Sequence, residues 1–106
     1  MNEELKKRIK NLIDSNDIIV FMKGTPAAPQ CGFTARVVHV FEVLKVNFGY
    51  FNVLKDEEVR QGIKDYSDWP TIPQVYIKGE FIGGCDITLQ MFESGALQEK
   101  LGLKKE

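Results

Sequence analysis

The sequence predicts a small α/β protein, with a four-stranded mixed sheet and helices on both of its faces. Three observations carry this. Ile18 to Met22 is a short unbroken apolar run, the mark of a strand buried on both sides. Apolar residues at helical spacing stand on either side of it, Leu5, Ile9, Leu12 and Ile13 before, and Phe33, Val37, Val40, Phe41 and Leu44 after. Two short apolar runs around Lys78-Gly79 read as a hairpin. A chain of 106 residues fits one domain, residues 1–106, with no repeat, linker or low-complexity segment.

Taken in order, the first helix spans Glu3 to Asp14 and is broken by Asn16-Asp17. The first strand, Ile18 to Met22, leads into a loop from Lys23 to Gln30 that carries Pro26 and Pro29. Cys31 stands at the first turn of the next helix. Phe48 to Val53 is the second strand. Asp56, Glu57 and Glu58 open a further helix that runs to about Tyr66, since a carboxylate caps free N–H groups and acids suit the positive helix end. Trp69-Pro70-Thr71-Ile72-Pro73 is not helix, because its prolines forbid it. Gln74 to Ile77 and Glu80 to Ile82 are the hairpin strands. Asp86 reads as the cap of a helix that ends at Ser94 with Gly95 as its stop, and a short helix follows from Ala96 to Leu101. Two strands flanking a helix are expected to lie parallel with a right-handed crossover.

Composition excludes several classes of function. The 14 basic and 15 acidic residues leave a net charge of −1, with no surplus for nucleic acid. Lys6-Lys7-Arg8 with Lys10 reads as a solvated helix face. No apolar run approaches the ~20 residues of a membrane span. Glu3 and Glu4 precede any apolar stretch, so no signal peptide is expected. Two cysteines do not make a disulfide scaffold, which points to a reducing compartment. His39 has no second histidine nearby, so a zinc site is not expected.

Cys31-Gly32-Phe33-Thr34 holds one cysteine where a dithiol redox site, C-x-x-C, holds two. Cys31 follows a buried strand and opens a helix, where unpaired N–H groups and the helix dipole favour thiolate. Lys23 adds a positive charge. Both mark a reactive or metal-binding cysteine rather than an inert core one. Gly32 leaves room beside the sulfur or loosens the helix start. Phe33 is core or a lid beside the thiol. Thr34 donates to the thiolate or is simply a first-turn residue.

Elsewhere the bland readings prevail on residues alone. Pro73 reads as a trans proline opening a strand. A cis bond would instead turn the Ile72 backbone outward, free to pair with an extended peptide. Gly83-Gly84 before a helix start suits the approach of an anion, and Asp86 caps that helix or accepts from a ligand ammonium. Cys85 reads as a small packed residue, Arg60 and Lys64 as a solvated edge, and Trp69 as core.

Together, Lys23-Gly24-Thr25-Pro26, Pro29-Gln30-Cys31-Gly32-Phe33, Trp69-Pro70-Thr71-Ile72-Pro73-Gln74 and Gly83-Gly84-Cys85-Asp86 resemble the monothiol glutaredoxins, most closely the single-domain mitochondrial and bacterial type. Arg60-Gln61-Gly62-Ile63-Lys64-Asp65-Tyr66 resembles the same family, and the likeness runs from the first helix to Gly95. It implies a thioredoxin-like fold and a glutathione site beside Cys31. Lys23 and Arg60 would hold the glycine-end carboxylate, with Lys64 assisting. Ile72, before a cis Pro73, would pair its backbone with the cysteinyl unit. Cys85 and Asp86 would meet the γ-glutamyl end, and Trp69 and Phe33 would frame the site. Gly32, Thr71 and Gly84 complete the glutathione-binding set. The family usually has serine where this chain has Thr34, which keeps the hydroxyl and adds a methyl group.

The resemblance also implies a source for the missing thiols. A [2Fe–2S] cluster takes four ligands. Cys31 would supply one, glutathione another, and a second chain with its own glutathione the remaining two. The expected product is a cluster-bridged homodimer that carries the cluster from an iron–sulfur scaffold to acceptor apoproteins. The setting would be a bacterial cytoplasm or a mitochondrial matrix. An enzyme is the competing reading: glutathione-dependent thiol–disulfide exchange, with Cys31 as nucleophile. A third reading joins Cys31 to Cys85 in a disulfide.

Overall fold

The computed structural model describes residues 1–103, ordered as α1 (Glu3–Asp14), β1 (Ile18–Met22), β2 (Gly24–Thr25), β3 (Ala28–Pro29), α2 (Gly32–Leu44), β4 (Gly49–Asn52), a 3-10 turn (Val53–Lys55), α3 (Glu57–Ser67), β5 (Gln74–Ile77), β6 (Glu80–Gly83), α4 (Cys85–Ser94) and α5 (Ala96–Lys100). The main sheet has the strand order β4-β1-β5-β6. β1 pairs parallel with β4 and antiparallel with β5, and β5 pairs antiparallel with β6. The expected mixed four-stranded sheet is therefore present.

Alternation along β1 divides the core into two layers. Ile18, Val20 and Met22 face α2, α4 and α5 through Val37, Val40, Phe41, Cys85 and Leu97. Ile19 and Phe21 face α1 and α3 through Ile9, Ile13, Val59 and Ile63. Because helices cover both faces, all five residues of β1 are buried, as its unbroken apolar run requires.

The helix ends follow local chemistry. Asn2 caps α1 by accepting from the Leu5 N–H at 2.8 Å, and Asp56 caps α3 by accepting from the Val59 N–H at 3.1 Å. Lys78 and Gly79 have φ of 51° and 82°, the pair of positive angles that a two-residue hairpin turn needs. Gly95, with φ 85°, ends α4 as expected.

Four expectations need correction. The loop Lys23–Gln30 contains a small hairpin, β2 paired with β3, that brings Gly24 opposite Pro29. The second strand ends at Asn52, because the Asn52 side chain accepts from the Leu54 N–H at 3.0 Å and starts a turn. That oxygen also accepts from the Gly24 N–H at 3.0 Å, tying the loop before Cys31 to the sheet. Asp86 is not the cap of α4: the capping position is Gly84, without a side-chain bond, and Asp86 lies in the first turn. Finally, the Ile72–Pro73 peptide is cis, against the trans reading of the residues and in line with the family resemblance. An isolated X-Pro bond prefers trans by only ≈ 0.5–1 kcal/mol, so the surrounding fold decides.

Candidate functional site

A cavity of about 580 Å³ opens at the end of β1 where the chain enters α2. That is a volume typical of a small-molecule site. Three segments wall it. The first is the entry to α2, with Lys23, Cys31 and Phe33. The second is Trp69 to Pro73, with Lys64 from α3 beside it. The third is the start of α4, with Gly84, Cys85, Asp86 and Ile87.

Cys31 occupies the capping position of α2 and is part-exposed. Its burial favours the neutral thiol. The Thr34 and Phe33 N–H groups, the Thr34 hydroxyl and the Lys23 charge outweigh this, so the net effect holds the thiol below its ordinary range. Thr34 is fully buried, and its hydroxyl oxygen also accepts from the Lys23 N–H at 3.4 Å. The residue in the place of a second thiol is thus built into the support of the first. Cys85 is the opposite case. It is 7% exposed, and burial, followed by the charge of Asp86, pushes its thiol up. Both cysteines are free.

Phe33 is 56% exposed, so it belongs to the rim and not to the core, with the Arg36 guanidinium 6.0 Å from its ring centre. Gly32 does not line the cavity, and a β-carbon built there meets nothing within 4 Å, so the space beside Cys31 is open. Ile72 is buried in the α1–α3 layer and also lines the cavity. Thr71 and Pro73 lie on either side of it. Trp69 packs against Phe81 with the rings tilted and 5.7 Å apart, and its indole N–H is buried without a partner.

The wall carries both signs of charge, Lys23 and Lys64 from its first two segments and Asp86 from the third. A ligand with a carboxylate at one end and an ammonium at the other matches that arrangement. Arg60 lies outside the cavity lining. Its guanidinium is turned to Glu57 at 3.4 Å, and its Nε is buried without a partner. Pro70 and Ile87 line the cavity although the sequence did not single them out as site residues. Ile87 lies two residues past Cys85, and nothing in its local sequence points to a site. No group of three or more His, Cys, Asp or Glu residues among the described residues is placed to hold a metal ion.

A family model described as glutaredoxin matches residues 18–82. A Synechocystis protein described as an uncharacterized monothiol glutaredoxin is 54% identical over 101 residues, which is 95% of this chain and 94% of that protein. The mitochondrial glutaredoxin-related protein 5 of Danio rerio is 53% identical over 97 residues, 91% of this chain and 63% of its own. Monothiol glutaredoxin-4 of Schizosaccharomyces pombe is 48% identical over 95% of this chain, which spans only 41% of that longer protein. Among solved structures, reduced apo GrxS14 of poplar superposes with a TM-score of 0.81 at 48% identity, covering 92% of this chain and 90% of that one. A buckwheat glutaredoxin–glutathione complex superposes with a TM-score of 0.81 at 26% identity, covering 96% of this chain and 94% of that one.

Proposed function

The chain belongs to the glutaredoxin family, alongside monothiol members, and on that premise we propose that it binds glutathione beside Cys31 and carries a [2Fe–2S] cluster as cargo in a single domain. The observation that carries this reading is Cys31 itself: one thiol, favoured as thiolate, at the rim of a peptide-sized cavity, with a hydroxyl where a dithiol site has its second sulfur. A resolving cysteine is missing from that position, so the remaining ligands come from outside the chain.

The cavity fits glutathione. Lys23 and Lys64 suit the glycine-end carboxylate, the Ile72 backbone suits the cysteinyl peptide, and Asp86 at the start of α4 suits the γ-glutamyl ammonium. The buckwheat relative was solved with glutathione, which supports the same ligand here. When bound, glutathione supplies a second thiolate. Cys31 supplies the protein's own, and the open space beside Gly32 leaves room for a cluster shared with a second chain. Scaffold and acceptor apoproteins are the partners of such a carrier. No described helix is long and apolar enough to cross a membrane.

The depressed Cys31 pKa also favours a second reading, thiol–disulfide exchange. In it the Cys31 thiolate attacks a glutathione mixed disulfide and releases the protein thiol, and an external thiol then regenerates Cys31.

Anaerobic reconstitution with iron, sulfide and glutathione separates the two. The carrier reading expects charge-transfer absorption and a dimer mass, both lost in Cys31→Ser and without glutathione. No cluster under those conditions, with rapid turnover of a mixed disulfide, leaves the exchange enzyme standing instead.

A further inference from the structure

Gln74 is fully buried although it is polar. A buried primary amide is costly unless its hydrogen-bonding groups are used. Gln74 uses both ends. Its Nε2 donates to the Trp69 carbonyl at 3.2 Å and to the Thr71 carbonyl at 3.3 Å. Its Oε1 accepts from the Tyr76 hydroxyl at 3.2 Å. Two carbonyls at one end and a hydroxyl donor at the other fix which way the amide points. Burial holds the Tyr76 phenol protonated, with its pKa pushed up to about 12, so it remains a donor throughout the physiological range.

The two carbonyls that Gln74 holds belong to residues of the cavity wall. Trp69, Thr71, Ile72 and Pro73 all line it, while Gln74 itself does not. The wall segment has neither helical nor strand geometry, and its prolines have no N–H to give. A second chain of contacts closes on the same point, because the Tyr76 ring packs tilted against Phe81 at 5.3 Å and Phe81 packs in the same way against Trp69.

We propose that Gln74 is a positioning residue for glutathione: its amide draws the Trp69 and Thr71 carbonyls inward and so presets the Ile72 backbone as the peptide-binding edge of the cavity. This rests on the glutathione reading above. Gln74 touches no ligand and acts through the segment it holds. None of the groups that lower the Cys31 pKa belongs to that segment. Losing Gln74 therefore weakens ligand binding and leaves the thiolate unchanged.

The test compares wild type, Gln74→Met and Tyr76→Phe. Trp69 is the only tryptophan of the chain, so its emission reports on the held segment without any ligand. Gln74→Met keeps the length of the side chain and removes all three bonds. Its Trp69 emission shifts to the red and is quenched more readily by acrylamide. Glutathione affinity by calorimetry falls about tenfold or more. The Cys31 alkylation midpoint stays at its wild-type pH. Tyr76→Phe removes one bond and gives smaller changes in the same direction, which keeps the test available if Gln74→Met does not fold.

Unchanged Trp69 emission in folded variants overturns the proposal. So does an emission shift with wild-type glutathione affinity, because the segment would then move without consequence for binding. A wild type that binds no glutathione overturns the glutathione reading and this proposal with it, and variants whose emission still shifts then show only that Gln74 holds the segment.

Discussion

Replacing Thr34 by valine removes one hydroxyl from the support of Cys31 and keeps the shape of the side chain. That hydroxyl is one of four groups that lower the Cys31 pKa against the opposing effect of burial. A hydrogen bond to a charged group contributes ~1.5–3 kcal/mol. Cys31 is part-exposed, so water competes for the thiolate and the lower end of that range applies. A difference of about 1.4 kcal/mol is about tenfold in the thiol–thiolate equilibrium. The remaining thiolate is more basic and so more nucleophilic, with a Brønsted slope of about 0.4–0.5, which offsets part of the slowing wherever the thiolate fraction falls. The assay is iodoacetamide alkylation across pH, with Cys31 and Cys85 resolved by peptide mass. Thr34→Val moves the Cys31 midpoint up. Thr34→Ser keeps the hydroxyl and leaves the midpoint in place, while loss of a fully buried methyl costs about 1 kcal/mol of stability. An unmoved midpoint in Thr34→Val, or an equal shift in both variants, would refute the role given to the hydroxyl.

Further outcomes follow from other parts of the molecule. Folding holds the Cys31 pKa below its unfolded value of about 8.5, so the thiolate stabilises the protein fully above that pH. This contribution is lost as pH falls through the folded-state pKa, so the stability gap between wild type and Cys31→Ser narrows from alkaline to acidic pH in urea unfolding. Gly84 has an ordinary φ of −97°, but an added methyl would lie 3.2 Å from the Pro73 carbonyl and 3.3 Å from the Trp69 indole nitrogen. Gly84→Ala therefore forces two cavity walls apart, costs about 1–3 kcal/mol and weakens glutathione binding measured by calorimetry. Gly83→Ala costs more in Tm, because φ is 147° and the methyl would meet the Ile87 β-carbon at 2.8 Å. Asp56→Asn keeps a capping oxygen and loses only the ion pair to Arg8, at 2.6 Å and partly exposed, worth about 1 kcal/mol at most. Asp56→Ala also loses the cap of α3 and costs about 1 kcal/mol more by denaturant midpoint.

Much of this fold is legible without coordinates, because its signals are local. The apolar run Ile18–Met22 has no polar position to turn to water, and it became the strand with helices on both sides. The spacing from Glu3 to Asp14 gave α1 its observed limits. Lys78-Gly79 announced a turn because glycine relieves the positive φ that the hairpin imposes. The β2–β3 pair was not legible: each strand has two residues, one ends in proline, and Asn52 anchors them from a distant strand.

The site divides in the same way. Sequence alone marked Cys31 as a thiol at a helix start, since the neighbours that favour thiolate are its own next residues and Lys23 at the end of the preceding strand. It also marked Trp69–Pro73 and Gly83–Asp86 as irregular segments, since prolines and glycines declare themselves. Only tertiary structure decided that these segments converge on one cavity, that Pro73 is cis, that Asp86 lines that cavity from the first turn of a helix, and that Arg60 lies outside the lining with its guanidinium 3.4 Å from Glu57. Gln74 stands between the two cases. Its partners, the Trp69 and Thr71 carbonyls and the Tyr76 phenol, lie within five residues along the chain, yet only the folded chain brings them within 3.3 Å of its amide. Local sequence fixes what a few neighbouring residues can satisfy among themselves. Groups whose partners lie across the fold acquire their roles only when packing closes around them.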